Sequence, residues 1–269
     1  MLLRLSLLIL CLPLGLQAID LKPWFPRYLE IQSQLSYFHQ RYCSVDSGST
    51  TIEKSQKNDF YTGSLELAYD DICGEVEFTF SSTGRHHLGP DNAQATFRYQ
   101  VLDDVIGDFA SVVAGMTVRQ VFSLSLKDIS TLFHGGIEGE AHLAIGKEFT
   151  CYNTWSSRMW SVAGLGIADH GSPWIFGLSA FEVNWYETQR FRVFAEANYG
   201  LGEKNLNVFV PFNGYGNILH QSIDVGIMYR YMFENDGWLS LTVAHRAHAK
   251  NCPKQVNFFG VSYLYPFGL

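Results

Sequence analysis

The sequence predicts an all-β fold, a single antiparallel up-and-down transmembrane β-barrel of about twelve strands. Three observations carry that expectation. Residues 257–269 alternate strictly, with Phe259, Val261, Tyr263, Tyr265, Phe267 and Leu269 on one face and Phe258, Gly260, Ser262, Leu264, Pro266 and Gly268 on the other. This is the period of a strand, not of a helix. The connections between successive strand-like runs alternate between long and short, with 169–172 as the one exception, the layout of a barrel whose two rims differ. Aromatic residues make up 15% and charged residues 17% of the 269-residue chain, whereas a soluble domain carries about 25% charge.

The N-terminal residues 1–18 read as a secretory signal peptide: Arg4 is the only charge, the apolar run 5–14 is too short to span a bilayer, and Leu16-Gln17-Ala18 suits cleavage. After Ala18 no run of about 18 apolar residues follows, so any crossing is made by strands. The mature chain, 19–269, reads as one domain. Its net charge of −7 argues against a nucleic-acid partner.

Residues 20–27, with two prolines, form an extended lead-in. The first strand, 28–40, sets Leu29, Ile31, Leu35 and Tyr37 against Glu30, Gln32, Gln34 and Ser36, and a polar loop is expected over 41–57. Strands follow at 58–69, from 74, and at 94–101, where Ala95, Phe97, Tyr99 and Val101 alternate with Gln94, Thr96, Arg98 and Gln100. The run 109–121 is less cleanly patterned. Beyond the long loop 122–135, Ile137, Ala141, Leu143 and Ile145 alternate with Glu138, Glu140, His142 and Ala144. Strands at 157–168, 173–186, 191–200, 222–233 and 238–246 complete the set before the closing stretch. The loop 201–217 is rich in Gly and Asn, and Glu234-Asn235-Asp236-Gly237 is a hairpin turn.

With the apolar face toward lipid, the other face carries Glu66, Glu75, Glu77, Arg98, Arg119, Glu138, Glu140, Glu182, Arg192, Glu196, Asp224 and Arg230 as lumen-lining candidates. Charges turned inward must meet water or a partner. The lumen is therefore either a wet channel, with a mild cation preference because carboxylates outnumber arginines, or a lattice of ion pairs in a closed barrel. Cys43 and Cys252 fall in the first and last long loops, which closure makes neighbours, so a disulfide is expected there. Cys73 and Cys151 sit on the other rim, unpaired or open to crosslinking. No spacing matches a metal motif: His245 and His248, the candidates with His220 or His86, have opposite strand parity. No cofactor is called for.

An end that runs aromatic to the terminus resembles the closing strand of bacterial outer-membrane barrels, with Leu269 where Phe is usual and Phe267 two places earlier. The lead-in Asp-Leu-Lys-Pro-Trp-Phe and the Tyr-Pro-Phe-Gly-Leu end resemble an uncharacterised outer-membrane barrel family of chlamydia-like bacteria. That resemblance implies a place in the cell outer membrane, contact with its lipid, recognition of the closing strand by the barrel-assembly machinery, and no assigned chemistry. A porin-like channel for small polar solutes is the first functional expectation, and a structural or surface-exposed barrel with a closed lumen the second. A third comes from His170, Ser172 and Asn184, whose spacing is similar to the catalytic set of outer-membrane phospholipases. Twelve residues of strand between Ser172 and Asn184 span roughly 40 Å at about 3.3 Å per residue, too far for a triad.

Overall fold

The computed structural model describes residues 21–26, 28–48, 50–151 and 154–268. The signal-peptide expectation for 1–18 and the terminal Leu269 lie outside the described residues. The strands are β1 (Glu30–Asp46), β2 (Thr51–Tyr69), β3 (Ile72–Ser82), β4 (Gly89–Leu102), β5 (Ser111–Val121), β6 (Ile137–Cys151), β7 (Thr154–Ala168), β8 (Trp174–Trp185), β9 (Gln189–Gly200), β10 (Gln221–Met232), β11 (Trp238–Lys250), the two-residue β12 (Pro253–Lys254) and β13 (Asn257–Gly268). One short helix, α1 (Ser123–Leu126), follows β5.

Sequential long strands pair antiparallel, and the sheet closes through β1. Ile31 pairs with Leu67 of β2 on one side and with Phe267 of β13 on the other. The result is a closed twelve-strand up-and-down barrel with β12 as an appendage, as the alternation predicts. Closure satisfies the backbone donors and acceptors within the sheet, which hydrocarbon demands.

Period-two patterning becomes two surfaces. On β6, Ile137, Leu143 and Ile145 are exposed while Glu138, His142 and Ala144 are buried. Leu65, Val76, Phe97, Val118 and Leu165 repeat the outward apolar position on β2 to β5 and β7. Such a continuous apolar girdle is far beyond what a water-facing monomer exposes. Aromatic pairs gather at the short-turn ends of the strands: Tyr28–Tyr69 at 5.1 Å, Tyr231–Phe233 at 5.4 Å and Tyr265–Phe267 at 4.7 Å between ring centroids. Girdles of this kind mark the edge of a bilayer.

Two expectations fail at the other rim. The segment 41–57 is not a loop. β1 and β2 stay paired from Arg41–Lys57 out to Asp46–Thr51, and beyond that the Ser47 N–H donates to the Thr50 carbonyl at 2.9 Å. This hairpin rises above the apolar girdle: its inward face keeps only Tyr42 and Val45, which the cap buries, and its other positions are almost all polar, so no apolar alternation marks it as strand. The disulfide also fails. Closure does bring the two segments together, with the Asp46 N–H donating to the Cys252 carbonyl at 3.0 Å. Yet Cys43 points outward and is exposed, whereas Cys252 is fully buried with its thiol directed at the Gln221 carbonyl at 3.2 Å, and both are free thiols. Neighbouring segments cannot be bridged when their side chains leave on opposite faces. Cys73 is likewise inside rather than open to crosslinking, held by Glu66 at 3.1 Å and Arg98 at 3.2 Å; Cys151 is exposed.

Replacing Leu143 by Arg at the middle of β6 should cost about 2–4 kcal/mol, measured as a lowered denaturant midpoint for folding into phospholipid vesicles. An unchanged midpoint would place this face outside the hydrocarbon.

Candidate functional site

The lumen is bounded below by the lead-in, above by two loops, and around by the inward side chains. At the short-turn end the segment 21–26 runs inside the barrel rather than across its mouth. Trp24 is 5% exposed and packs on Val113, Ala144, Trp160 and Val162, inward residues of β5 to β7. Its indole N–H donates to Asp104 at 3.0 Å, its ring meets Trp160 edge-on at 5.8 Å, and the Arg158 guanidinium lies 4.8 Å from it. Arg98 donates to the Lys22 carbonyl at 3.3 Å and sits over Phe25. Leu21 reaches the central cavity. The segment is a strap along the inner wall.

At the opposite end the loops 122–136 and 201–220 fold inward and build a cap with a core of its own. Ile129, Leu206, Phe212 and Tyr215 pack there with Tyr42, Cys252, Val256 and Phe258 of the wall. The Tyr215 hydroxyl donates to the Ile129 carbonyl at 2.7 Å, tying one loop to the other. His134 stacks flat on Trp174, with ring centroids 3.7 Å apart and planes 4° from parallel. Its Nε2 lies 2.8 Å from Nε2 of His220, so the two rings share one N–H. The His134 backbone N–H donates to Glu138 at 2.5 Å.

Between strap and cap lies a cavity of about 250 Å³. Of the sequence-predicted residues, Glu77, Arg119, Glu140, Arg192, Glu196, Asp224 and Arg230 line it. Glu66, Glu75 and again Arg230 line a smaller recess beside Lys22. Arg98, Glu138 and Glu182 lie behind these surfaces, each nearly fully buried.

Most of the charge is paired. Arg119 bonds Glu138 at 2.7 Å and Glu140 at 3.3 Å; Arg192 bonds Glu182 at 2.7 Å; Arg246 grips Asp224 through two nitrogens, at 2.7 and 2.8 Å. Arg98 pairs with Glu66, and Arg158 with Glu148. Breaking one partner from a buried pair typically costs about 3–5 kcal/mol, so this lattice holds neighbouring strands in fixed relation.

Two local devices shape the cavity. A β-bulge on β4 inserts Asp91 between Pro90, which faces Phe80, and Asn92, which faces Thr79. Asp91 and Asn92 therefore both enter the lumen, as bulges re-aim side chains. On the other wall, Gly164 and Gly166 of β7 leave room for Phe176 and Trp174 of β8 to lie across them; a Cβ at either glycine would overlap the ring. An aromatic wall of Trp174, Phe176, Leu178 and Phe194 results.

A comparison with protein-family models finds no match, and no curated protein matches the sequence. Solved structures do match. An outer-membrane channel from Pseudomonas putida F1 superposes with a TM-score of 0.67 over 94% of this chain and 100% of that one, at 10% identity. The NanC porin gives 0.55 over 88% and 98%, at 6% identity, and the KdgM porin 0.51 over 87% and 99%, at 9% identity. The fold is that of the outer-membrane β-barrels. At these identities the likeness is one of architecture.

The hydrolase constellation does not assemble. His170 and Ser172 lie in the connection before β8, His170 2.8 Å from Asp169, while Asn184 ends that strand with its amide on the Trp155 carbonyl at 2.8 Å. Nor do the histidines converge: His245 bonds Asn257 at 2.8 Å and His220 belongs to the cap. Sequence reasoning missed Trp24, Asp91, His134 and Arg190. Asp91 and His134 needed a bulge and a loop path that no local period records. Arg190 shares inward parity with Arg192 and was accessible by starting β9 two residues earlier.

Burial, then the neighbouring His134 and Arg246, push the His220 imidazole down to about 3. An opened cap frees His220 to take a proton below about pH 6.5, the ordinary value, while the closed cap keeps it neutral. The closed form is thus fully stable above that value and loses ground as pH falls from about 6.5 toward about 3. Hydrogen exchange over 201–220 should accelerate across this window, and His220→Asn should flatten the dependence. Exchange independent of pH in the native chain, after correction for intrinsic rates, would contradict it.

Proposed function

We propose that the protein is a porin-like channel of the outer membrane for small polar solutes and ions, narrowed at both ends by its own chain. The observation that carries this reading is the lumen. It is walled by charged and amide side chains and leaves an unfilled cavity of about 250 Å³, where a small barrel with no transport role fills its interior with side chains. The neighbours in fold are described as a channel and as porins, which supports the same direction. The long-loop rim, with the cap, faces the exterior, and the short-turn rim with the strap faces the periplasm. Outer-membrane lipid contacts the girdle, and the barrel-assembly machinery reads β13. An origin in chlamydia-like bacteria belongs to the same proposal and rests on the lead-in and terminal motifs alone.

A structural or surface-exposed barrel with a closed lumen is the second reading, favoured by the strap and cap covering both ends. The two readings separate in planar bilayers. The full chain should give small single-channel conductance with mild cation preference in a salt gradient. Trp24→Ala, which removes the strap's anchor, should raise that conductance several-fold. Silence from both proteins supports the closed barrel, and clear anion selectivity contradicts the proposed channel.

A further inference from the structure

The cavity contains acceptors that the ion-pair lattice leaves unused. Glu77 and Asp91 accept hydrogen bonds only from neutral side chains among the described residues. Gln94 donates to Glu77 Oε1 at 2.7 Å, and Ser81 and Asn92 each donate to Asp91 at 2.9 Å. Among the described residues, no Lys, Arg or His forms an ion pair with either. The other Glu77 oxygen, Oε2, is buried with no donor, and so is Oδ1 of Asn92, whose amide nitrogen is committed to Asp91. Glu77 and Asn92 are each 7% exposed, and both line the cavity. Buried acceptors without donors are rare in native proteins, and each calls for a partner.

The same cavity offers the partner a second surface. Phe176, Leu178 and Phe194 line its other wall, and Leu132 and Phe133 enter from the cap loop. A patch of two carboxyl groups and an amide oxygen, set in the same cavity as aliphatic and aromatic side chains, is complementary to one kind of solute: a charged donor head on an apolar body. Aromatic faces also attract cations directly.

We infer that this is a binding site for a small organic cation, an ammonium or guanidinium group carried on an apolar body. The head is held by Glu77, Asp91 and Asn92, and the body lies against the aromatic wall. The inference rests on the channel reading only for how the cation reaches the cavity. Other solutes fit less well. A hard metal ion requires about six to eight oxygen ligands, and no group of three or more metal-ligating side chains is assembled among the described residues. An anion meets guanidinium groups already engaged: Arg119 by Glu138 and Glu140, Arg192 by Glu182, Arg246 by Asp224. A neutral solute brings no charge to Glu77 and Asp91.

The test uses the full chain folded in detergent micelles and three probes of one size: phenethylammonium, 2-phenylethanol and 3-phenylpropionate. Binding is read by titration calorimetry and by the fluorescence of Trp174, which lines the cavity. Phenethylammonium should bind saturably, and the alcohol and the carboxylate at least about tenfold more weakly, the discrimination one charge-assisted contact supplies. Glu77→Gln and Asp91→Asn, each checked for folding by gel mobility with and without heating, should each weaken phenethylammonium binding by about tenfold. The probe comparison on the native chain stands whether or not the variants fold. Equal binding of all three probes, or full affinity in both folded variants, overturns the site. Conductance of small ions without phenethylammonium binding sinks this inference and leaves the channel; binding without conductance supports the site and removes the channel.

Discussion

Everything in this molecule follows from one constraint: hydrocarbon offers no hydrogen-bond partner to a peptide group. A sheet that crosses it must close, and the pairing of β1 with both β2 and β13 is that closure. Once the sheet is closed, alternate residues have only two places to go. The outward set meets lipid and can be uniformly apolar. The inward set cannot reach bulk water freely, so each polar group placed there must be answered by another. The ion pairs, the bulge, the strap and the cap are different answers to that demand.

The answers are arranged along the barrel axis. Near the short-turn end, arginines rest on indole faces. Arg190 lies 3.9 Å from the centre of the Trp238 ring and 4.9 Å from that of Trp155; Arg158 also faces Trp155, at 4.2 Å, and Arg192 faces Trp160, at 4.7 Å. A guanidinium over an aromatic face is partly compensated without a carboxylate. In the upper half, Arg119 and Arg246 are bound to carboxylates of neighbouring strands. Conformational stability and electrostatic character are therefore set by the same side chains, and the lumen is stiff where it is charged.

The strand content was legible because the two-residue period survives wherever a strand lies between lipid and lumen. It fails where the outward face leaves the hydrocarbon. At the tips of β1 and β2 the outward side chains are polar and the inward face keeps only Tyr42 and Val45 under the cap, so residues 41–57 carry no regular apolar alternation. The cysteine pairing failed for the complementary reason: neighbourhood was inferred correctly, but Cys43 and Cys252 leave the sheet on opposite faces. Inward charges could be named from parity alone, including Asp224 and Arg230. Asp91 could not, because the bulge that turns it inward exists only in the pairing of β3 with β4. The strap and cap were invisible on different grounds. Trp24, His134 and His220 are placed by contacts across 86 residues in the case of the histidines and 80 for Trp24 with Asp104, and no local pattern encodes them.

The distribution of partners explains why the cavity keeps carboxyl groups outside the ion-pair lattice. Glu77, Asp91 and Glu196 all line it, and among the described residues Glu196 receives only the amide of Asn198, at 3.3 Å. Arginine is present in the chain to answer them, but geometry assigns it elsewhere. Arg119 reaches back to Glu138 under the cap, and Arg192 reaches along the wall to Glu182, each on an adjacent strand where the sheet fixes the distance. Arg190 sits opposite Arg230 in the β9–β10 pairing, among the tryptophans of the lower end. Cross-strand neighbours satisfy one another first because the sheet holds them within reach; a carboxylate whose own cross-strand neighbours are amides and hydroxyls does not have that route. Glu77 faces Gln94 on β4 and Ser64 on β2. Its carboxyl group is left to the lumen by register, and register is the feature that the closed sheet determines most strictly.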